Sequence, residues 1–266
     1  MNNNDLINTS EWKLPDSVKH IYGPKVYDWA VVVPVINEGE KLKLQLNRML
    51  PFCVNADIVV ADGGSKDNSV SNLSGIVRAV LVKQGSGKLS AQLRMAFAWC
   101  YEQGYKGVII IDGNGKDGVE AIPKFIEKLE SGFDFVQGSR YVPGGVAINT
   151  PIDRHIAVRL LHAPLISMAS RFWYTDTTNG FRGFSIKFLT DKRVSTFREI
   201  FDTYNLHYYL SIRAPRLGFK VCEIPVTRAY PSSGKTPTKI SGMSGRILIL
   251  KQLFMAVFGL YNPKGV

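Results

Sequence analysis

Cysteine, histidine, acidic residues and long hydrophobic runs are all scarce in this chain. Its 266 residues include three cysteines and four histidines, and neither type recurs at the spacing of a metal site. An odd, scattered set of cysteines argues against a disulfide framework and favours a reducing compartment. The first 20 residues are polar and mixed in charge, so no secretion signal is expected. These shortages together predict a cytoplasmic protein.

Acidic residues are outnumbered, 22 against 33 lysines and arginines, which gives a net charge of +11. Such an excess favours an anionic partner, although solubility alone also accounts for it. No module of interleaved basic and aromatic residues is present, so nucleic acid is not expected as the partner. The apolar tail 246–261 contains Lys251 and Gln252 and is too short to span a bilayer. It is consistent either with a helix at the inner face of a membrane or with one packed on the domain.

Apolar runs of strand length alternate with segments of helical period. This alternation predicts an α/β fold, a doubly wound and mostly parallel sheet flanked by helices. Residues 41–50 are assigned to a helix, although the alternating Leu42, Leu44 and Leu46 also fit a strand. The other predicted strands are 29–34, 57–61, 77–82, 107–112, 133–137 and 219–225, and the other predicted helices are a short one near 67–73 and those at 89–102, 119–130, 154–172, 201–214 and 246–261.

Two of the predicted strands end in an aspartate followed by glycine. Val108 to Ile111 leads into Asp112, and Ile58 to Ala61 leads into Asp62. Because ligands bind at the carboxyl edge of a parallel sheet, both acids are candidates for one cleft. Taken singly, each could equally be a helix cap. Taken as a pair, they indicate a site for a nucleotide and its diphosphate.

Two other motifs carry weaker signals. The turn 85–88, Gly-Ser-Gly-Lys, lacks the first glycine and the final serine or threonine of a phosphate-binding P-loop. Its backbone N–H groups could still meet a phosphate at the start of a helix, which makes Lys88 a candidate for donor binding. No Gly-x-Ser-x-Gly motif supports a nucleophilic serine.

Six motifs occur in a characteristic order. They are Val-Val-Val-Pro-Val-Ile-Asn-Glu (31–38), Val-Val-Ala-Asp-Gly-Gly-Ser-Lys-Asp (59–67), Ile-Asp-Gly-Asn (111–114), Gly-Ser-Arg-Tyr-Val-Pro-Gly-Gly (138–145), Thr-Asn-Gly-Phe-Arg (178–182) and Glu-Ile-Pro-Val (223–226). The chain resembles family 2 glycosyltransferases of the GT-A fold, and within them the branch of dolichyl- or polyprenyl-phosphate mannose and glucose synthases. The resemblance implies a single GT-A domain over 26–240, preceded by an extension, 1–25, and followed by an amphipathic tail, 241–266.

The resemblance also implies an inverting transfer of a sugar from a nucleotide-diphosphate sugar, with roles for matching residues. Pro34, Asn37 and Glu38 would lie beside the nucleotide, and Asp62 would recognise the base or ribose. Asp112 matches the first acid of the Asp-x-Asp motif, which holds a divalent metal such as Mg²⁺ or Mn²⁺. The expected acceptor-binding residues are Arg140, Arg154, Lys235 and Lys239.

The chain departs from the family pattern at the metal motif. Asn114 replaces the second acid, and Lys116 follows two positions later. A neutral amide is a weaker ligand than a carboxylate for a hard cation. We therefore expect a divalent metal on Asp112 and Asn114 to be weakly bound or dispensable. Lys116 would then neutralise charge on the diphosphate.

The acceptor is left open between a polyprenyl phosphate and a sugar hydroxyl in glycan assembly. A phosphate is already ionised and can attack without a base, whereas a hydroxyl needs one. Asp202 is the candidate for that base. Two other classes of protein also bind nucleotide sugars. A nucleotidyltransferase would need a glycine-rich loop where Val35 to Glu38 stand. A non-catalytic nucleotide-sugar-binding protein is suggested by Asn114.

Overall fold

The fold is known from a computed structural model that describes residues 7–232 and 242–263. Its main sheet has eight strands in the order β1-β4-β3-β2-β5-β8-β6-β9, and β7 and β10 form a second, two-stranded sheet. The strands are β1 (Ser17–Ile21), β2 (Trp29–Val35), β3 (Ala56–Asp62), β4 (Ala79–Lys83), β5 (Gly107–Ile110), β6 (Phe135–Ser139), β7 (Val146–Ile148), β8 (Arg182–Ser185), β9 (Val221–Pro225) and β10 (Thr227–Ala229).

Helices cover both faces of the main sheet. They are α1 (Glu40–Met49), α2 (Leu89–Glu102), α3 (Ile122–Glu130), α4 (Ile152–Ala157), α5 (Ala163–Ser170), α6 (Ile186–Thr190), α7 (Asn205–Arg216) and α8 (Gly242–Val257), with a π turn, Val158–His162, joining α4 to α5.

The order of the strands creates a crevice at the carboxyl edge of β2. Along the chain, β3 and β4 are added on one side of β2, and β5 is then added on the other. β2 is parallel to both β3 and β5. The direction in which strands are added therefore reverses at β2, and open α/β sheets bind ligands at such a switch point. β8 lies antiparallel between β5 and β6, so the sheet is mixed beyond β5.

Each face of the sheet has its own apolar cluster. On one face, Leu93 and Phe97 of α2 are fully buried with Leu253 of α8. On the other face, Leu46 of α1 and Phe125 of α3 are buried with the β2 and β5 side chains. Full burial of one such side chain stabilises the fold by roughly 1.5–3 kcal/mol. The clusters thus set α1 and α8 on opposite faces of the sheet.

Most of the predicted elements are confirmed, with shifts of a few residues at their ends. The helical assignment of 41–50 is confirmed as α1, so its alternating leucines do not mark a strand. The short helix predicted near 67–73 is wrong, because this segment forms turns in which Asp67 accepts a hydrogen bond from the backbone N–H of Ser69 at 3.0 Å. Four strands were missed, namely β1, β7, β8 and β10.

The ends of the predicted domain remain a prediction, but the structure adds one fact about them. Residues 17–21, within the predicted N-terminal extension, form β1, which pairs antiparallel with β4 at the edge of the main sheet. In the two described ranges, no helix combines the length and the apolar character needed to cross a bilayer.

Candidate active site

A cavity of about 660 Å³ opens where β2, β3 and β5 end. Besides the predicted residues, its wall includes side chains from α2, α7, β8 and β10, so distant parts of the chain meet there. Most of the predicted site residues line this cavity, namely Pro34, Asn37, Glu38, Lys88, Asp112, Asn114, Lys116 and Arg154.

The loop after β2 forms one wall and is held by the loop after β3. The backbone N–H of Asn37 donates to Ser65 Oγ at 2.9 Å, and Asn37 Oδ1 accepts from the Lys66 N–H at 2.8 Å. On the other side, Gly113 lies so close to Val35 that a Cβ at residue 113 would overlap the valine Cγ1 atom. The glycine after Asp112 therefore lets the β5 loop pack against the β2 loop.

Asp62 lies at the same edge of the sheet but does not line the cavity. It is fully buried, and its Oδ2 accepts hydrogen bonds from the N–H groups of Gly64 at 3.2 Å and Ser65 at 2.9 Å. The carboxylate thus closes the turn after β3, as an acid that caps a turn does. Of the two strand-end acids, only Asp112 reaches the cavity. The predicted contact of Asp62 with the base or ribose is not supported by this placement.

Arg228 joins Asp112 to a second carboxylate. The Nη2 atom of Arg228 lies 2.9 Å from Asp112 Oδ2, and its Nη1 lies 2.6 and 2.7 Å from the two oxygens of Asp117. The Asp117 side chain has no exposed surface, whereas that of Asp112 is 25% exposed. β10 carries Arg228 to this position, and residues 117 and 228 also form a backbone bridge. The result is a charged group of three at the tip of β5.

The shared arginine has different effects on the two acids. Burial opposes ionisation of Asp112, but Arg228 and Lys116 outweigh it, so the pKa of Asp112 lies below its ordinary value. Burial raises the pKa of Asp117 despite its contacts with Arg228. The pKa of Arg228 is held well above its ordinary value by the two carboxylates, although burial acts against this. Asp112 and Arg228 are therefore charged at neutral pH.

Lys116 brings a further cation to the cavity wall. Its Nζ lies 5.3 Å from the centre of the Tyr230 ring, and the residue is 8% exposed. The backbone N–H of Lys116 donates to Asn114 Oδ1 at 3.3 Å, which fixes the short loop between them. Burial, and then the neighbouring Arg228, lower the pKa of Lys116. The segment 114–116 thus presents an amide and an ammonium group beside Asp112.

The side chains around Asp112 do not fit a metal site built by the protein. In 7–232 and 242–263, no three His, Cys, Asp or Glu side chains are grouped to hold a metal ion. Oδ2 of Asp112 is engaged by Arg228 and lies 3.4 Å from the Asn114 amide nitrogen. Mg²⁺ sites use one or two carboxylates together with substrate phosphates. Here the accessible carboxylate of Asp112 lies beside the cations of Arg228 and Lys116, and Asp117 is fully buried, so the donor set is poor in negative charge.

The far wall of the cavity is made of buried, polar but fixed groups. Arg182 of β8 donates to the backbone oxygens of Thr177 at 2.7 Å and His207 at 2.9 Å. Burial, and then Arg182, lower the pKa of His207 to about 3, so this histidine is neutral at physiological pH. Arg182 ends the motif 178–182, but no role was predicted for it, and His207 was not among the predicted site residues.

The two predicted acceptor arginines differ in position. Arg154 of α4 lines the cavity, and its Nη1 lies 3.4 Å from Tyr230 Oη. Arg140 does not line the cavity. It is buried in an ion pair with Asp176, with Nε–Oδ2 at 2.7 Å and Nη2–Oδ1 at 2.9 Å. The charge of Arg140 is neutralised by Asp176 inside the protein, so the structure does not favour the predicted contact with an acceptor. Lys235 and Lys239 lie outside the described residues.

Asp202 is exposed and does not line the cavity. Its backbone oxygen accepts a hydrogen bond from the Lys88 N–H at 2.5 Å, and the Thr203 oxygen accepts one from the Ser90 N–H at 2.7 Å. The structure therefore does not present Asp202 as a base. Two N–H groups at the start of α2, those of Lys88 and Ser90, are thus already engaged and are not available to a phosphate. Lys88 still lines the cavity through its side chain.

Residues that position the cavity walls were also missed from the sequence. Gln92 Nε2 donates to the backbone oxygen of Val35 at 2.9 Å and to that of Ala61, which ties α2 to the ends of β2 and β3. Gln45 donates to the backbone oxygen of Asp112 at 2.5 Å. A glutamine among the apolar positions of a helix is the sequence signal that could have identified Gln92 and Gln45. Arg228 has no such signal, because it lies 116 positions from Asp112 in the chain.

Comparison with known proteins agrees with this geometry. Residues 30–204 match the sequence model of glycosyl transferase family 2, and the chain belongs to that family. It is therefore an inverting glycosyltransferase that uses a nucleotide-activated sugar, with a GT-A fold.

Two curated relatives narrow the resemblance. The chain is 28% identical over 247 residues to a polyprenol monophosphomannose synthase of Mycolicibacterium smegmatis, across 89% of this chain and 90% of the relative. It is also 28% identical over 232 residues to an undecaprenyl-phosphate mannosyltransferase of Micrococcus luteus, across 79% and 86%. The branch recognised from the motifs is thereby confirmed.

A solved structure supports the fold. The glucosyl-3-phosphoglycerate synthase of Mycobacterium tuberculosis, solved with Mn²⁺, UDP-glucose and phosphoglyceric acid, superposes with a TM-score of 0.60 at 17% identity. The alignment covers 89% of this chain and 81% of that one. At this identity the likeness concerns the fold alone.

Proposed function

We propose that this enzyme transfers a hexosyl group from a nucleoside-diphosphate sugar to the phosphate of a polyprenyl phosphate. The observation that carries the proposal is the set of cations around the cavity, which Lys116, Arg228 and Arg154 supply from three separate parts of the chain. Both substrates carry phosphate, so two anionic groups must be held together there. The relatives named for polyprenol and undecaprenyl phosphate support the choice of acceptor.

The reaction is a single displacement with inversion. An oxygen of the acceptor phosphate forms a bond to the anomeric carbon while the bond from that carbon to the diphosphate oxygen breaks. The nucleoside diphosphate leaves with the electron pair of that bond. Cations placed at the diphosphate stabilise the charge that develops on it in the transition state. Lys116 and Arg228 are suited to this role, and Asp112 orients the guanidinium of Arg228.

A phosphate acceptor suits the cavity better than a sugar hydroxyl. A hydroxyl needs a base, and the candidate base Asp202 does not line the cavity. Asp112 lines it, but this carboxylate is bound to Arg228 and has a lowered pKa, which makes it a poor proton acceptor. An ionised phosphate needs no base. Arg154, whose guanidinium also lies near the Tyr230 ring, is suited to hold it.

We also propose that a divalent metal is dispensable, because protein cations stand beside Asp112 where the family pattern has acids. The test is transfer activity with the metal removed by chelator. Retained activity is expected for the native protein. Loss of activity that Mg²⁺ or Mn²⁺ fully restores would contradict the idea.

A designed variant sharpens the test for metal. Asn114→Asp combined with Lys116→Gln replaces an amide and a cation with a carboxylate and an amide, which are better oxygen donors for Mg²⁺. This variant should lose activity in chelator and regain it with metal. Lys116→Arg, which keeps the charge, is the matched control and should stay insensitive to chelator.

The donor and acceptor are tested with a panel of nucleotide sugars. Labelled sugar should pass into the organic phase only when polyprenyl phosphate is present. Transfer to a glycan hydroxyl but not to the lipid phosphate would overturn the proposed acceptor. A reducing, cytoplasmic location at the inner face of the membrane fits the three unpaired cysteines and the use of a nucleotide sugar.

A further inference from the structure

Large apolar side chains are exposed together on two neighbouring helical segments. Ile152 and Ile156 of α4, Leu160 of the π turn, Met168 of α5 and Trp173 just after it all face solvent. A π turn rotates the chain less per residue than an α turn. Leu160 and Met168 therefore stay on the side of the segment where Ile152 and Ile156 lie.

α8 exposes a second stripe of the same kind. Ile247, Leu250 and Phe254 recur on it at helical spacing, Phe258 follows directly after its last residue, and the two phenylalanine rings stack at 6.3 Å. The opposite side of α8 is buried, with Leu253 in the core. The exposed stripe is thus the side of α8 that does not pack on the domain.

The two stripes belong to one surface. Arg246 near the start of α8 pairs with Asp153 of α4 at 3.2 Å, and α8 also contacts α5, so the two stripes are neighbours. We call the surface formed by the exposed side chains of 152–173 and 246–260 the apolar face. Other exposed apolar residues, such as Leu44 of α1, belong to other parts of the chain. Scattered residues of this kind are normal, but a continuous patch marks an interaction site.

The charges on the two segments that form the apolar face are almost all positive. Arg159, Arg171, Arg246 and Lys251 are exposed along it. Asp153 is the only acidic residue in 151–173, and 242–263 contains none. Apolar side chains with a basic rim are the pattern by which a helix lies in the headgroup region of an anionic bilayer. A protein partner would need a matching acidic surface, whereas anionic lipid supplies that charge everywhere.

The cavity opens beside this face. Arg154 of α4 and Ile249 of α8 both line the cavity, and each is next to exposed members of the apolar face along its helix. We propose that the apolar face seats the enzyme on an anionic phospholipid bilayer, with the cavity mouth at the level of the headgroups. This inference rests on the proposed function, because only a lipid-borne acceptor phosphate would reach the cavity from that level.

Trp173 gives a direct readout. It is 76% exposed, whereas Trp29 and Trp99 are buried and Trp12 is partly buried, so all four tryptophans are accounted for within the described residues. Vesicles containing phosphatidylglycerol should shift its emission to the blue, and lipids brominated on their chains should quench it. Trp173→Phe should remove this signal. An emission unchanged by such vesicles would overturn the proposal.

Cosedimentation with the same vesicles measures the affinity. Leu160→Asp/Phe258→Asp should weaken binding at least about tenfold, since two exposed side chains no longer insert. Arg159→Gln and Lys251→Gln should each weaken it about fivefold. Leu44→Asp, an equally exposed position on α1, is the control and should bind as the native protein does. Equal loss in the control would contradict the proposal, as would a native dimer that Leu160→Asp/Phe258→Asp turns into monomers.

A short-chain isoprenyl phosphate that needs no bilayer separates the two proposals. Leu160→Asp/Phe258→Asp should transfer sugar to it at the native rate, yet lose transfer to a long-chain acceptor in vesicles. If the native protein binds vesicles but transfers sugar to neither acceptor, the proposed function is wrong and membrane binding by the apolar face is retained. If it transfers sugar to both acceptors without binding vesicles, only the proposal about the apolar face is wrong.

Discussion

Replacing Arg228 with methionine should be far more costly than an ordinary change of a cavity residue. Its partner Asp117 has no exposed surface, so water cannot solvate the carboxylate once the guanidinium is gone. Removing one partner of a buried ion pair costs about 3–5 kcal/mol. The contact with Asp112 adds at most about 1 kcal/mol, because that side chain is 25% exposed and water can replace the arginine. The free energy of unfolding should therefore fall by about 3–6 kcal/mol at neutral pH.

The sign of the pH dependence follows from Asp117. Burial already raises the pKa of this acid in the native protein, and removal of Arg228 should raise it further. An acid whose pKa is higher in the folded than in the unfolded state binds protons more readily when folded, so acidification favours the folded state. The deficit of Arg228→Met should therefore shrink as the pH falls from neutral towards 5. Adding Asp117→Asn should recover most of the lost stability at neutral pH.

Urea unfolding followed by circular dichroism supplies the measurement. The native protein, both single variants and the double variant form a cycle whose coupling energy isolates the pair. Two results would refute the reasoning. One is a deficit for Arg228→Met below about 1 kcal/mol, well under the range for a buried pair. The other is a deficit that is equal at both pH values, because Asp117 would then not be ionised and paired in the folded protein.

Three further changes test other parts of the site. Asp112→Ala should lower the rate of transfer by about 10²–10³-fold with an unchanged circular dichroism spectrum, because Asp112 orients a cation at the leaving group. Retained turnover in the product assay would show that Asp112 has no part in the mechanism. Gly113→Ala should lower the free energy of unfolding in urea by about 1–3 kcal/mol, because the new methyl group overlaps Val35. An unchanged free energy of unfolding would mean that the loop after β2 moves to make room for the methyl group. Arg140→Gln should cost about 3–5 kcal/mol by leaving Asp176 buried and unpaired, while the KM for acceptor stays the same. A raised KM for acceptor with an unchanged free energy of unfolding would show that Arg140 contacts the acceptor.

The fold was largely predictable because its strands have unmistakable local signals. Val31 to Val33 and Val108 to Ile111 are β-branched runs that are buried on both faces of a parallel sheet. β8 lacked such a signal, because Arg182 and Gly183 interrupt the apolar pattern of a strand that pairs antiparallel with β5 and β6. β1 was missed for a related reason. As an edge strand exposed over most of its length, it has no apolar pattern to detect.

The site was predictable where one loop determines its own position, and not where distant segments meet. Asp112 reaches the cavity because β5 ends in the crevice beside β2, which the strand pattern alone implies. Asp62 has the same local pattern, but its carboxylate accepts hydrogen bonds from its own turn and is sealed there. Arg140 was assigned by motif, and the buried Asp176 that holds it lies 36 positions away. Competing partners of this kind become visible only in three dimensions.

Tyr230 links the two proposed halves of the reaction. Its ring lies 5.9 Å from the guanidinium of Arg228 on the donor side and 5.5 Å from that of Arg154 on α4. Although burial acts against it, Arg228 and then Arg154 lower the pKa of the tyrosine, which reflects a strongly positive surrounding. A donor diphosphate at Arg228 and an acceptor phosphate at Arg154 would each offset part of that charge. Binding of one anion should therefore leave less positive charge to attract the other. A displacement with inversion still holds both at once, with the acceptor phosphate and the leaving diphosphate on opposite sides of the anomeric carbon.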